Sequence, residues 1–253
     1  MKVDSVRAVV TGGASGLGRA VAQNIVAKGG KAVIVDLQEA AGQSTAREIG
    51  ASFRKCDVSV EAQVDAMMES ARAEMGGLNL LVNCAGIIGA GKLLGKDGPM
   101  SGEFFEKVVR VNLVGTLLCD KAAAAIMQNN APNEGGERGL LIHTSSVAAF
   151  EGQIGQVAYS ATKAAVMGMT LPIARELARF GIRCVAIAPG IFMTPMVAGM
   201  TAEVQDSLGK QVPFPSRLGR PEEYAQLVQS VIEIAMLNGE TIRLDGAIRM
   251  QPR

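Results

Sequence analysis

Tyr159 and Lys163 stand four residues apart, a spacing that sets both side chains on one face of a helix. A phenol beside an ammonium suits proton transfer. Free tyrosine titrates near pH 10, so acid–base work near neutrality needs a field worth about 4 kcal/mol, and a neighbouring cation is one source of it. Ser146 lies thirteen residues before Tyr159, just past an aliphatic run, where a hydroxyl can bond a reacting oxygen. Ser145 is its nearest rival. His143 is the only histidine. That inventory argues against a histidine metal site and a Ser-His-Asp triad, and its place inside an aliphatic run reads as structural.

A second group of residues lies upstream. Thr11-Gly12-Gly13-Ala14-Ser15-Gly16-Leu17-Gly18 follows one aliphatic run and opens a segment of helical period. Glycines there allow a sharp turn, close approach of backbone to a pyrophosphate, and tight packing of helix on sheet. The helix N-terminus then offers free N–H groups to phosphate. Asp36 ends the next aliphatic run, twenty residues after Gly16. A carboxylate there accepts from both ribose hydroxyls and repels a 2′-phosphate, and Leu37, Ala14 and Ser15 supply no base to bind one. The ligand expected is therefore NAD rather than NADP, with a plain helix cap as the bland reading of Asp36. Asp57, after the third run, carries the same ambiguity, adenine contact being its functional version.

Elements of alternating period must position these groups. Residues 6–10, 31–35, 51–55, 79–82, 140–144, 182–188 and 240–244 read as strands, most of them unbroken apolar runs expected of strands covered on both faces. Residues 17–28, 39–49, 60–75, 101–127, 156–180 and 221–236 carry apolar residues at helical spacing. Such alternation predicts right-handed crossovers and a doubly wound parallel sheet, with ligands beyond the carboxyl ends of its strands. Two long interruptions remain, at 86–100 and 129–138.

Composition bounds the class. The chain has 253 residues, 48% hydrophobic and 19% charged, with 25 Lys+Arg against 24 Asp+Glu. A net charge of +1 lacks the basic field that nucleic acids or anionic membranes call for. Cys56, Cys84, Cys119 and Cys184 form no CxxC pair, so neither zinc nor a disulfide framework is expected. Residues 184–202 carry no charge, but Pro189, Gly190, Pro195 and Gly199 interrupt them, so no membrane span is expected. Motifs alternate along all 253 positions, which predicts one domain.

Together these residues resemble the short-chain dehydrogenase/reductase family along essentially the whole chain. The motifs in order are Thr11-Gly12-x-x-x-Gly16-x-Gly18, Asp57-Val58, Asn83-Cys84-Ala85-Gly86, Asn112, Ser146, Tyr159-x-x-x-Lys163, and Pro189-Gly190 followed by Thr194. The resemblance implies a single Rossmann domain with a seven-stranded parallel sheet in order 3-2-1-4-5-6-7 and a substrate loop at about 190–215. It implies Tyr159 as general acid/base, Lys163 lowering its pKa and holding the nicotinamide ribose, Ser146 on the substrate oxygen, and Asn112 in a proton relay. Gly12, Ser15, Gly16, Leu17, Gly18, Asp36, Leu37, Asp57, Val58, Asn83, Cys84, Ala85, Gly86, Pro189, Gly190, Ile191, Phe192 and Thr194 would line NAD. Cys84 departs from the pattern, since many members carry Asn there.

A narrower similarity runs through Val147-Ala148-Ala149-Phe150-Glu151-Gly152-Gln153, Val212-Pro213-Phe214-Pro215-Ser216-Arg217-Leu218-Gly219 and Leu244-Asp245-Gly246-Ala247-Ile248-Arg249-Met250. It points to the type 2 3-hydroxyacyl-CoA dehydrogenase branch. That implies NAD-dependent oxidation of (S)-3-hydroxyacyl-CoA esters, branched ones included, and of hydroxysteroids. Gln153, Phe192, Met193 and Met196, with Ser146 and Tyr159, would then meet substrate, and Phe192, Met193, Met196, Val197 and Met200 would form an adaptable apolar lid over an acyl chain. The alternatives are a 3-oxoacyl carrier-protein reductase, a polyol dehydrogenase on the same scaffold, or a scaffold subunit of an RNA-processing assembly. A homotetramer paired through the two long helices is implied as well. No metal, membrane or nucleic-acid partner is expected. A cytoplasmic setting is expected from the short N-terminus, with the mitochondrial matrix as the alternative.

Overall fold

Strands with apolar residues on both faces need helices above and below, and the computed structural model, which describes residues 1–96 and 98–252 apart from the side chain of Met196, has that arrangement. In chain order the strands are β1 (Arg7–Thr11), β2 (Lys31–Asp36), β3 (Ser52–Lys55), β4 (Leu80–Asn83), β5 (Leu94–Gly95), β6 (Gly98–Pro99), β7 (Gly139–Thr144), β8 (Ile182–Pro189) and β9 (Thr241–Leu244). Seven of them form one sheet in the order β3-β2-β1-β4-β7-β8-β9, every pairing parallel. With the small β5-β6 hairpin set aside, this is the expected 3-2-1-4-5-6-7. The hairpin falls inside the interruption at 86–100, where no apolar alternation announces it.

The helices are α1 (Gly16–Ala27), α2 (Glu39–Ile49), α3 (Glu61–Met75), α4 (Gly102–Val109), α5 (Gly115–Met127), α6 (Val157–Leu177), α7 (Pro195–Ala198), α8 (Ala202–Lys210) and α9 (Pro221–Glu233). Two differences from expectation bear on the site. The segment 101–127 is not one α-helix: α4 and α5 are joined by a π-helical turn, Arg110–Val114. The region 190–215, expected as a loop, contains α7 and α8.

Side chains from α1 and α9, such as Val21, Ile25, Tyr224 and Val228, pack one face of the sheet. Val64 and Met67 of α3, Cys119 and Ala123 of α5, and Ala174 of α6 pack the other. Both layers meet the strands below the carboxyl ends, leaving that rim to loops. The four cysteines are free thiols. Among the described residues no helix is long and apolar enough to cross a membrane, and no cluster of three His, Cys, Asp or Glu side chains could hold a metal ion.

One buried charge braces the far edge of the sheet. Arg183 of β8 bonds the Glu137 carboxylate at 2.7 Å and donates to the carbonyls of Val231, Ile232, Ile234 and Leu237 around the end of α9. Glu137 and Arg183 side chains are each 8% exposed. Removing the guanidinium leaves the carbonyls of Val231, Ile234 and Leu237 without that donor and leaves the buried Glu137 carboxylate only the Met1 ammonium, at 2.9 Å, as its ion partner among the described residues. Arg183→Met is expected to lower unfolding free energy by about 3 kcal/mol or more, read as a shifted urea midpoint; a shift within error of wild type would refute the brace.

Candidate active site

The rim above β1 and β4 is shaped by the absence of side chains. Gly12 has φ 64° and Gly16 φ 54°, both in the left-handed region. A Cβ on Gly12 would lie 2.8 Å from the backbone of Cys84 and Ala85, and one on Gly18 would lie 2.4 Å from the Gly12 carbonyl oxygen. The turn therefore closes only with glycine. Ser15, the N-cap of α1, makes no capping bond with its own side chain, and the first turn carries no acid. That terminus suits an anion. Thr194 and Pro195 overhang it, 3.5–3.8 Å from where a Gly16 Cβ would sit.

Asp36 closes the other side. Its carboxylate accepts from Ala14 N–H at 3.2 Å and Gln38 N–H at 3.1 Å, which fixes it beside the glycine turn. Leu37 is exposed next to it. Asp57 accepts from the Ser59 amide and hydroxyl at 2.9 and 2.7 Å, so it shapes its own turn, while Val58 is buried beneath Gly115.

The second half of the site hangs on β4, β7 and α6. Lys163 is buried, and its ammonium donates to the Thr144 carbonyl at 2.8 Å and lies 5.7 Å from the centre of the Tyr159 ring. Burial pushes that ammonium down to about 8, the nearby Cys84 thiol opposing the shift. Ser146 caps a short 3₁₀ turn, its hydroxyl accepting from Ala148 N–H at 3.1 Å and lying near enough to the Tyr159 phenol to lower it. Ser145 is instead committed to the Lys163 backbone carbonyl at 2.8 Å. The resemblance implies a phenol lowered by Lys163. In the protein alone burial wins: it raises the Tyr159 phenol above its ordinary value, against the lowering effect of the Ser146 hydroxyl.

Asn112 sits in the π-helical turn. Ile87 N–H donates to its Oδ1 at 2.8 Å, and its Nδ2 donates to the Ile87 carbonyl at 2.9 Å and to Thr162 Oγ1 at 3.2 Å. The Thr116 hydroxyl donates to the Asn112 carbonyl at 2.8 Å. A Cβ on Gly86 would stand 3.2 Å from Asn112 Oδ1 and 3.5 Å from Lys163 Nζ. The motif Asn83-Cys84-Ala85-Gly86 thus runs from the glycine turn to the lysine.

Several expected contacts lie elsewhere. The Phe192 ring is 6% exposed, packed edge-on to Tyr224 with centroids 6.5 Å apart, so it belongs to the core rather than to a lid. Gln153 donates to the Gln251 carbonyl at 3.0 Å and so anchors the C-terminal segment. Met193 is part-exposed at the rim, and the side chain of Met196 lies outside the described residues. Gly190 packs on Asp245, where a Cβ would meet Asp245 at 2.9 Å; Pro189 ends β8, and the Ile191 carbonyl accepts from Gly219 N–H. Sequence reasoning missed Thr144, which holds Lys163 through its carbonyl and Tyr224 through its hydroxyl at 2.7 Å, and Thr162, which braces Asn112. No spacing rule reveals either one.

Known proteins resemble this chain over nearly its whole length. A bovine (Bos taurus) 3-hydroxyacyl-CoA dehydrogenase type-2 is 51% identical over 99% of this chain and 97% of its own length. The human (Homo sapiens) protein of that name is 50% identical over the same shares. A crystal structure of a 3-hydroxyacyl-CoA dehydrogenase type-2 from Mycobacterium avium matches with a TM-score of 0.93 at 40% identity, covering 97% of this chain and 96% of that one. Residues 6–205 match the short chain dehydrogenase family, and the chain belongs to it.

Proposed function

We propose that the protein oxidises the 3-hydroxyl of an (S)-3-hydroxyacyl-CoA to a 3-oxoacyl-CoA with NAD, accepting branched acyl chains and hydroxysteroids as well. The observation that carries the proposal is the Ser146–Tyr159–Lys163 cluster at one end of a cleft whose other end is a glycine turn beside Asp36. Relatives of about half identity carry the name of that activity.

The rim fits a dinucleotide, because the glycine turn lets the N-terminus of α1, which has no side-chain cap and no acid in its first turn, stand open beside the Asp36 carboxylate. In the proposed pose Gly12, Ser15, Gly16, Leu17 and Gly18 meet the pyrophosphate, Asp36 and Leu37 the adenosine ribose, and Asp57 with Val58 the adenine. Residues 83–86, 189–192 and Thr194 flank the nicotinamide end, Phe192 through its backbone alone. NAD bound there supplies the hydride acceptor and a positive charge close to the phenol. Ser146 holds the substrate hydroxyl, Tyr159 as phenolate takes its proton, and Lys163 and Asn112 return that proton toward solvent. Met193 and Met196, on a substrate loop at about 190–215 of a single domain, meet the acyl chain, while Gln153 supports the loop carrying Ser146. Leu117 of α5 and Leu171 of α6, 49% and 42% exposed, support pairing of the long helices in a homotetramer. Free thiols fit a reducing compartment, and the cytoplasm is the one proposed.

Initial rates with NAD against 3-hydroxyacyl-CoA, branched 3-hydroxyacyl-CoA, carrier-protein-linked and polyol substrates test the reading; higher kcat/KM for any class but acyl-CoA overturns it. Tyr159→Phe should keep NAD binding and lose kcat by about three orders of magnitude or more, and retained turnover would exclude the phenol as base. Asp36→Ala should lose most of the preference for NAD, whereas equal kcat/KM with NADP in wild type would remove the role given to Asp36. Both tyrosines have raised phenols, Tyr224 the more strongly through burial. Tyrosinate absorbance of the cofactor-free protein should therefore be absent at about pH 9 and first appear above about pH 10, with that first step missing in Tyr159→Phe. An earlier ionisation would mean that the Lys163 field already outweighs burial.

A further inference from the structure

Beneath the cleft lies a polar chain that the proposed reaction does not use. Asn83, Asp120, His143 and Thr170 are 4%, 2%, 0% and 1% exposed, between the sheet and helices α5 and α6. Asn83 Nδ2 donates to Asp120 Oδ1 at 2.8 Å, and Asp120 Oδ2 lies 2.8 Å from His143 Nε2. His143 Nδ1 lies 3.0 Å from Thr170 Oγ1. An apolar core would be cheaper to bury at this depth than a carboxylate and an imidazole, so the pair calls for a role.

Donor counting assigns the protons. Thr170 Oγ1 donates to the Val166 carbonyl at 2.9 Å, so it accepts from the ring and Nδ1 bears a hydrogen. The contact between Nε2 and Asp120 also needs one proton, so the couple is neutral as a unit. Burial opposes charge on the ring, but the Asp120 carboxylate, with Cys184 and the hydrogen bonds adding to it, outweighs that and holds the imidazole well above its ordinary value. The other titratable groups facing the couple are thiols. Cys184 Sγ is 3.7 and 3.8 Å from the ring nitrogens, Cys119 adjoins Asp120, and both are raised by burial and so remain neutral.

The chain ends at a functional place. Asn83 is the last residue of β4 and pairs in register with both Thr11 of β1 and His143 of β7. Immediately after it, Cys84 and Ala85 N–H donate to Thr11 Oγ1, each at 3.1 Å, and Gly86 reaches Asn112 and Lys163. We propose that Asp120 and His143 are positioning residues that clamp the Asn83 amide and thereby hold residues 83–86 against the dinucleotide. The inference rests on reading that segment as a wall of the NAD cleft.

The Asp120→Asn side chain can accept from Asn83 and donate to Nε2 of a neutral ring, so it keeps every bond while removing the charge. Asp120→Leu removes both bonds. The expected result is an NAD Kd within about twofold of wild type for Asp120→Asn and about tenfold weaker for Asp120→Leu, with kcat at saturating NAD little changed. Val64→Ala, a cavity in the same core layer, serves as the stability control and should leave the Kd alone. Because His143 is the only histidine, ¹⁵N-histidine labelling gives one imidazole. Its two nitrogens should both be protonated between about pH 6 and 9 in wild type, and only Nδ1 in Asp120→Asn. An unchanged Kd in Asp120→Leu, a Kd weakened equally by Val64→Ala, or a wild-type ring with Nδ1 unprotonated overturns the proposal. If Asp120→Leu does not fold, Asn83→Ala, which leaves the couple intact, must show the same weakening or the proposal fails. Wild type that binds no NAD would instead remove the reading of the cleft, while the imidazole spectrum would still report on the couple.

Discussion

Thr11 Oγ1 accepts two backbone N–H groups, from Cys84 and Ala85, and the rest of the cleft is arranged around that bifurcated contact. It draws the carboxyl end of β4 against the glycine turn so closely that Gly12 has no space for a methyl group. From this fixed point the chain runs in two directions. Upstream, the turn leads into α1 and its free N–H groups, with Asp36 tied to the turn by Ala14 N–H. Downstream, Gly86 delivers the segment to Asn112 and Lys163. A single hydroxyl thus sets the distance between the phosphate end of the cleft and its proton-transfer end. Fixed spacing is what bimolecular hydride and proton transfers require of a protein.

Burial then acts on two groups in opposite senses of charge. It lowers the Lys163 ammonium to about 8 and raises the Tyr159 phenol. Each shift favours the neutral form of its group, so the protein by itself does not create a tyrosinate. On the proposed reading this has a use. The phenol becomes a base only when the positive charge of bound NAD joins that of Lys163, which ties proton abstraction to occupancy of the cleft. Below the cleft, the same low dielectric has the reverse outcome at Asp120 and His143, where two opposite charges 2.8 Å apart stabilise each other.

The strands were legible because parallel strands are buried on both faces and therefore read as unbroken runs of Val, Ile, Leu and Ala, bounded by residues such as Gly30 and Asn79. The glycine turn, Tyr159 and Lys163 were legible for a related reason: each sits directly after a strand or one turn into a helix, where spacing carries geometry. The π-helical turn was not, since apolar periodicity continues across 110–114 and the side-chain bonds that Asn112 and Thr116 make there leave no mark in the spacing. His143 reads as a structural residue from its strand, and it is one, yet nothing in the linear order joins it to Asp120 twenty-three positions earlier. Phe192 misled for a different reason. In a Met-rich apolar stretch, a ring facing the core and a ring facing a ligand have the same composition.

That inward ring has a consequence for the proposed substrate loop. Phe192 pairs with Gly219, Gly219 N–H donates to the Ile191 carbonyl, and Met193 N–H donates to the Gly219 carbonyl, so the root of the loop is stitched to the segment before α9. Under the ring, the Tyr224 hydroxyl bonds Thr144, whose carbonyl holds Lys163 and whose hydroxyl reaches the Cys84 thiol. The root is therefore continuous with the floor of the cleft and moves only if that floor moves. Freedom begins beyond it, at Met193 and α7, where exposure rises and the chain overhangs Gly16. On the proposed reading, a lid hinged at that point adapts to acyl chains of different shape without disturbing Lys163 or Tyr159, because the exposed Met193 directly follows the buried aromatic anchor Phe192.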